Sequence, residues 1–243
     1  MALPILETAR YELTLPSHNK QVAYRPFLVK EEKLLLMALE SGENSQVTRA
    51  LKDIVSACTF GAINVDVLPT FDIEYIFLKI RSKSVGEVAK LNIKCPDDGE
   101  TFANVELDLN EVEVQVDDAH TNVIEINDRI KMIMKYPTLD SFDPTMDAAS
   151  MKTNELFKII SKSINEIYDG ETVHKASDYS AEELNTFIES LTSDHFQKVQ
   201  KFFTTMPRLS HTVEVTNPKT KVKSKVQLSG LNDFFVSPSP TTT

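Results

Sequence analysis

The stretch Leu68 to Gly86 (LPTFDIEYIFLKIRSKSVG) constrains the fold of this chain more than any other. Thr70 is a suitable N-cap, and Asp72 and Glu74 follow in the first turn, at the positive end of a helix dipole. Phe71, Ile73, Tyr75, Ile76, Phe77, Leu78 and Ile80 then succeed one another almost without interruption. At about 3.6 residues per turn they cover most of a helix's circumference rather than one stripe. Lys79, Arg81 and Lys83 load the last turns with positive charge, and Gly86 offers a stop. Such a helix either runs through the middle of a domain or sets one face in the core and another against a partner. A continuous strand is the local alternative, because Ile, Tyr and Phe favour strands too.

Around this segment the hydrophobic period changes repeatedly. Tyr11–Leu15 and Gln21–Leu28 alternate on either side of Pro16–Lys20 and read as a hairpin. Lys30–Ser41 and Ser45–Cys58 read as helices, the first closed by Gly42. After Gly86 the period falls to two. Val88–Lys94 and Thr101–Leu109 are predicted strands about a turn at Cys95–Gly99, and Val112–Val116 and Val123–Met134 continue in the same manner. Asn154–Tyr168 reads as a helix, with Leu156, Ile160, Ile164 and Ile167 on one face and Asp169-Gly170 after it. Ser180-Ala181-Glu182-Glu183 is a capping box. Asp194–Met206 is a further helix, and Val213–Thr216 with Val222–Leu228 forms a last hairpin.

The fold class expected is therefore α+β, with helical lobes each closed by an antiparallel β-hairpin or small sheet. The proline-bearing stretch Pro137–Asp147 suggests a boundary. The expected division is 1–136, 137–236 and a disordered tail over 237–243 (SPSPTTT).

With 243 residues the chain can bury a substantial core, and a charged fraction of 26% marks an ordinary folded protein. The net charge of −10 disfavours nucleic acid as a partner. No run approaches the roughly 20 apolar residues of a membrane span, and Met1–Pro16 lacks the pattern of a secretory leader. Two cysteines, Cys58 and Cys95, are too few for a disulfide framework.

Catalytic chemistry is hard to assemble from these residues. His18, His120, His174, His195 and His211 are scattered, and no phosphate-binding glycine motif occurs. The expectation is a non-enzyme without cofactor or metal. Cys95-Pro96-Asp97-Asp98-Gly99 has the outline of the zinc-ribbon turn C-P-x-C-G with Asp98 in place of the second sulfur. Asn217-Pro218-Lys219-Thr220 repeats that outline without sulfur. Both hairpins thus resemble zinc ribbons that have lost their metal ligands.

A set of ordered blocks spans residues 8 to 236. They are Tyr24-Arg25-Pro26-Phe27, Lys30-Glu31-Glu32-Lys33, Leu68-Pro69, Phe71-Asp72-Ile73-Glu74 and Leu78–Gly86, followed by Pro207-Arg208-Leu209-Ser210-His211 and Ser229–Phe235. In these blocks the chain resembles the T4-type bacteriophage baseplate proteins, of the hub subunit and hub assembly kind. In that family, the resemblance implies, the two turns often carry C-P-x-C-G. It further implies a protein made in the host cell cytoplasm that binds other phage baseplate hub proteins during tail assembly. Such a protein is a hub assembly factor or, alternatively, a permanent structural subunit of the virion. The candidate partner-binding or ion-pairing residues are Arg25, Phe27, Phe71, Tyr75, Arg81, Arg208, His211, Phe234 and Phe235. For the arginines the competing expectation is an internal bridge to Glu31, Glu32, Asp72 or Glu74, since a guanidinium keeps its charge when desolvated.

Overall fold

The computed structural model describes residues 7–141 and 153–234. In chain order the elements are β1 (Tyr11–Thr14), β2 (Gln21–Tyr24), α1 (Val29–Ser41), α2 (Asn44–Cys58) and α3 (Thr70–Ser84). Next come β3 (Val88–Lys94), β4 (Phe102–Asp108), β5 (Glu113–Gln115), β6 (Val123–Glu125) and β7 (Ile130–Met134). They are followed by α4 (Thr153–Ser163), β8 (Ile164–Asp169), β9 (Thr172–Lys175), α5 (Ala181–Glu189) and α6 (Ser193–Thr205). The chain closes with β10 (Arg208–Thr216), β11 (Lys223–Ser229) and α7 (Gly230–Phe234). Every strand pairing is antiparallel, and the class is mixed α and β with small sheets.

The chain divides into two compact units, Met1–Gln115 with Arg208–Thr243, and Val116–Pro207. This differs from the division expected at residues 136 and 137. The reason is pairing: β5 takes its place beside Arg208–Ser210 of β10 in the order β11-β10-β5, so the last hairpin returns to the first unit. Likewise β6 and β7 join β8 and β9 in one four-stranded sheet, which holds both sides of Pro137 in the second unit. The tail over 237–243 lies outside the described residues.

In the first unit α3 is the central element. It packs against α2, α7, β5 and β10. Ile73, Ile76, Leu78 and Ile80 are completely buried and Phe77 nearly so, as an apolar surface running round the whole helix requires. Its buried apolar groups contribute roughly 2 kcal/mol each through their removal from water. The helix starts on Pro69, whose carbonyl accepts from the Asp72 and Ile73 N–H groups, one residue earlier than a Thr70 cap. Val85 ends it, and Gly86 follows at φ 138°.

The second unit has its own core, built from Ile124, Met132, Met134, Ile160, Ile164, Ile188, Val199 and Phe202. Here one predicted helix is corrected: α4 stops at Ser163, and Ile164–Asp169 is a strand. Ile164 and Ile167 satisfy a helical face and a strand equally well, and β-branching favours the strand once two neighbours supply a ladder. Residues β7 and β9 provide those neighbours. Asp169-Gly170 is consequently the entry to a two-residue hairpin loop, with Gly170 at φ 64°, and not a helix stop. The capping box forms as expected: Ser180 Oγ accepts from Glu183 N–H at 3.2 Å, and Glu183 Oε2 accepts from Ser180 N–H at 2.8 Å.

Candidate functional site

Three ionisable side chains of α3, Asp72, Glu74 and Lys79, are buried, and each is engaged internally. Asp72 is buried; its Oδ1 accepts from Ser17 N–H at 3.1 Å and its Oδ2 from the Ser17 hydroxyl. Burial raises its pKa, and the Ser17 hydrogen bonds oppose that rise. Glu74 lies two residues further along, only 7% exposed, and accepts the Leu231 N–H in the first turn of α7. Burial pushes its carboxyl up to about 7, opposed by that single hydrogen bond. Gly230 sits against it at φ 69°; a Cβ there would lie 3.3 Å from Glu74 Oε1. The neighbouring turn is thus shaped by close approach as well as by its left-handed backbone.

Lys79 is the other buried charge of the helix. Its ammonium donates to the carbonyls of Asn110 at 3.1 Å and Val112 at 3.2 Å and meets Glu113 Oε1 at 3.3 Å. The Tyr75 ring lies 5.0 Å from Nζ, within range of a cation–π attraction. Burial first, then the neighbouring Glu113, pushes the Tyr75 hydroxyl up to about 12. This set fastens the loop before β5 to the helix.

The residues singled out from sequence fall into separate places. Arg25 is buried and donates from Nη2 to Glu31 Oε1 at 2.9 Å and from Nη1 to the Pro26 carbonyl at 2.8 Å. Burial would raise the Glu31 pKa, but the hydrogen bonds from Arg25 and Leu28 N–H override it and hold the carboxyl low. Phe27 is half-buried, and its N–H donates to Ser84 Oγ at 2.9 Å. Phe71 and Phe234 are core residues. Arg81 is half-buried, with burial pulling its pKa down. Arg208 is exposed at the start of β10 opposite Gln115, and His211 is half-buried on the same strand. Phe235 lies outside the described residues. These side chains do not converge on one pocket.

The two C-P-x-C-like turns share a backbone geometry. In the first, Gly99 N–H donates to the Cys95 carbonyl at 3.0 Å; in the second, Lys221 N–H donates to the Asn217 carbonyl at 2.9 Å. Gly99 and Lys221 both have a left-handed backbone, at φ 64° and 65°. The zinc-ribbon resemblance goes no further: β3–β4 and β10–β11 belong to different sheets. Their tips are tied by side chains, with Asn217 Nδ2 donating to Asp97 Oδ1 at 3.0 Å and Oδ2 at 3.1 Å. The Thr220 hydroxyl donates to Asp97 Oδ2 at 2.5 Å. Among the described residues no three of His, Cys, Asp and Glu gather in a way that could hold a metal ion. Sequence reasoning missed Asp97 and Asn217 as partners. The signal available was that each stands in a proline-containing turn of the same outline.

In the second unit His120 is the best-connected histidine. Its Nδ1 lies 2.9 Å from Thr205 Oγ1 and its Nε2 3.0 Å from the Tyr136 hydroxyl. The ring packs against Tyr136 and Phe202 at centroid distances of 5.6 and 5.3 Å. Burial lowers its pKa. Thr205 and Phe202 also line a cleft of about 440 Å³ with Lys198, Lys201 and Glu125. Lys198 Nζ donates to the Glu125 carbonyl at 2.6 Å, which makes it a cross-brace from α6 to β6 at the edge of this cleft.

No helix among the described residues is long and apolar enough to cross a membrane. No curated protein and no solved structure matches the chain. The family model described as T4 bacteriophage base plate protein does match, over residues 8–236, and so takes in both compact units. The chain belongs to the T4 bacteriophage base plate protein family.

Proposed function

We propose that this chain is a non-enzymatic protein of tail baseplate hub morphogenesis, acting as a hub assembly factor through binding to other baseplate hub proteins in the host cytoplasm. The observation that carries the reading is the extent of the family match, residues 8–236, which makes nearly the whole chain a baseplate module. The use made of its charges supports the non-catalytic part. Arg25 is spent on Glu31, Asp72 on Ser17, and Lys79 on two carbonyls and Glu113. Groups bound this way hold elements together and are poorly placed to move protons for a substrate. Exposed apolar side chains such as Val67 and Val116 stand beside Asp66 and Asp117, a mixture suited to reversible association.

Quantitative mass spectrometry of purified phage particles against infected-cell lysate tests this reading. Abundance in lysate with absence from particles is expected. A fixed small integer ratio to tail proteins in the particles would instead make the chain a permanent structural subunit and overturn the assembly-factor reading, leaving the family membership intact.

A further inference from the structure

Helix α1 turns very little of itself inward. Only Glu31 and Ala38 are buried, and Leu35 is half-buried between them on the same face. The opposite face carries Val29, Lys33, Leu36 and Glu40 at i, i+4, i+7 and i+11, which is one outward stripe of an α-helix. Val29 is 80% exposed, Leu36 53%, and the flanking Met37 and Leu39 57% and 54%. Isolated exposed leucines are ordinary, but Val29, Leu36, Met37 and Leu39 exposed together on one 13-residue helix mark a contact surface.

The charges on the stripe identify the occupant. When two copies of a helix lie antiparallel about a two-fold axis, residues whose numbers have the same sum face each other. With the axis between Leu36 and Met37, the leucines and methionines of the two copies meet at the centre. Lys33 of each copy then stands opposite Glu40 of the other, so one pairing produces two ion pairs and no like-charge contact at those positions. Neither Lys33 nor Glu40 is ion-paired with another described residue. A surface whose charges are complementary to a second copy of itself is what an isologous interface requires. A helix from an unrelated partner would have no reason to match the inversion of this particular Lys–Glu spacing.

We infer that the outward stripe of α1 is a self-association surface that pairs two copies of this chain through antiparallel α1 helices centred between Leu36 and Met37. The contact extends over one helix of 13 residues, so association is reversible and concentration-dependent. It stands independently of the hub assembly reading, because it requires no other baseplate protein.

Sedimentation equilibrium of the full chain tests it. Wild type is expected to pass from 27.4 kDa to twice that mass as its concentration rises. Leu36→Glu should abolish the heavier species. Lys33→Glu alone, and Glu40→Lys alone, should each weaken association by about tenfold, two exposed pairs being lost and made repulsive. The double exchange Lys33→Glu with Glu40→Lys should restore it, and its composition and exposed positions leave folding unaltered. A 27.4 kDa species at every concentration overturns the inference. So does a dimer indifferent to Leu36→Glu, or a double exchange no stronger than the single ones; binding of α1 only to another baseplate protein is the first of these results.

Discussion

Glu74 makes the stability of the first unit depend on pH in an unusual direction. Its carboxyl is pushed from the ordinary 4.5 to about 7 by burial, with one opposing hydrogen bond from Leu231 N–H. The folded chain therefore holds this proton between about pH 4.5 and 7 while the unfolded chain releases it. Stability contributed by the neutral form is fully present below the unfolded value and is lost as pH rises through the folded one. A separation of about 2.5 pH units corresponds to a loss of about 3 kcal/mol by pH 8. Glu74→Gln keeps an oxygen for Leu231 N–H and removes the ionisation. Urea unfolding of both proteins from pH 5 to 8.5 reads the effect. The two should be close at pH 5, and the Gln variant should gain on wild type by about 3 kcal/mol at pH 8. A gap between them that does not change with pH would refute the argument, because nothing else about the substitution titrates in that window.

Two more outcomes follow from the same bookkeeping of buried polar groups. Asn217→Ala removes a fully buried amide that ties the two hairpin tips through Asp97, and should cost about 1–3 kcal/mol in urea unfolding without changing secondary structure by circular dichroism. Arg25→Ala leaves the Glu31 carboxylate buried with only the Leu28 N–H and the exposed Lys30 as polar partners, and should cost about 3 kcal/mol at pH 7, with the loss shrinking in acid as Glu31 takes up a proton.

The central helix was legible because its evidence is local and redundant: seven apolar residues within ten positions leave no exposed face whatever surrounds them. The capping box at Ser180 was legible for the same reason, since both of its hydrogen bonds join residues three apart. The β8 strand was not. Leu156, Ile160, Ile164 and Ile167 fit a helical face, and only the ladders to β7, brought by distant chain, and to β9, across the two-residue loop, decide where the helix stops. The unit boundary failed on a longer scale. Three residues of β5 pairing with Arg208–Ser210 send the last hairpin back across more than ninety positions, and no composition shift records that.

The side chains show the same division between local and distant causes. Arg25 and Glu31 are six residues apart, so their bridge could be anticipated as an alternative to a partner contact, and it is the contact the structure makes. Glu74 and Lys79 looked like ordinary charges on a helix, Glu74 suited to its dipole; their burial depends on α7 and on the loop before β5, which sequence spacing cannot place. What marks them afterwards is a mismatch: a charged residue inside a run whose apolar neighbours close the circumference has no route to water. In such a helix each charge must be met by a group from elsewhere in the fold. Asp72 is met by Ser17, Glu74 by Leu231 and Lys79 by Asn110, Val112 and Glu113. Those three charges therefore fix where the first hairpin, the last short helix and the β5 loop attach, a specificity that apolar packing alone does not supply.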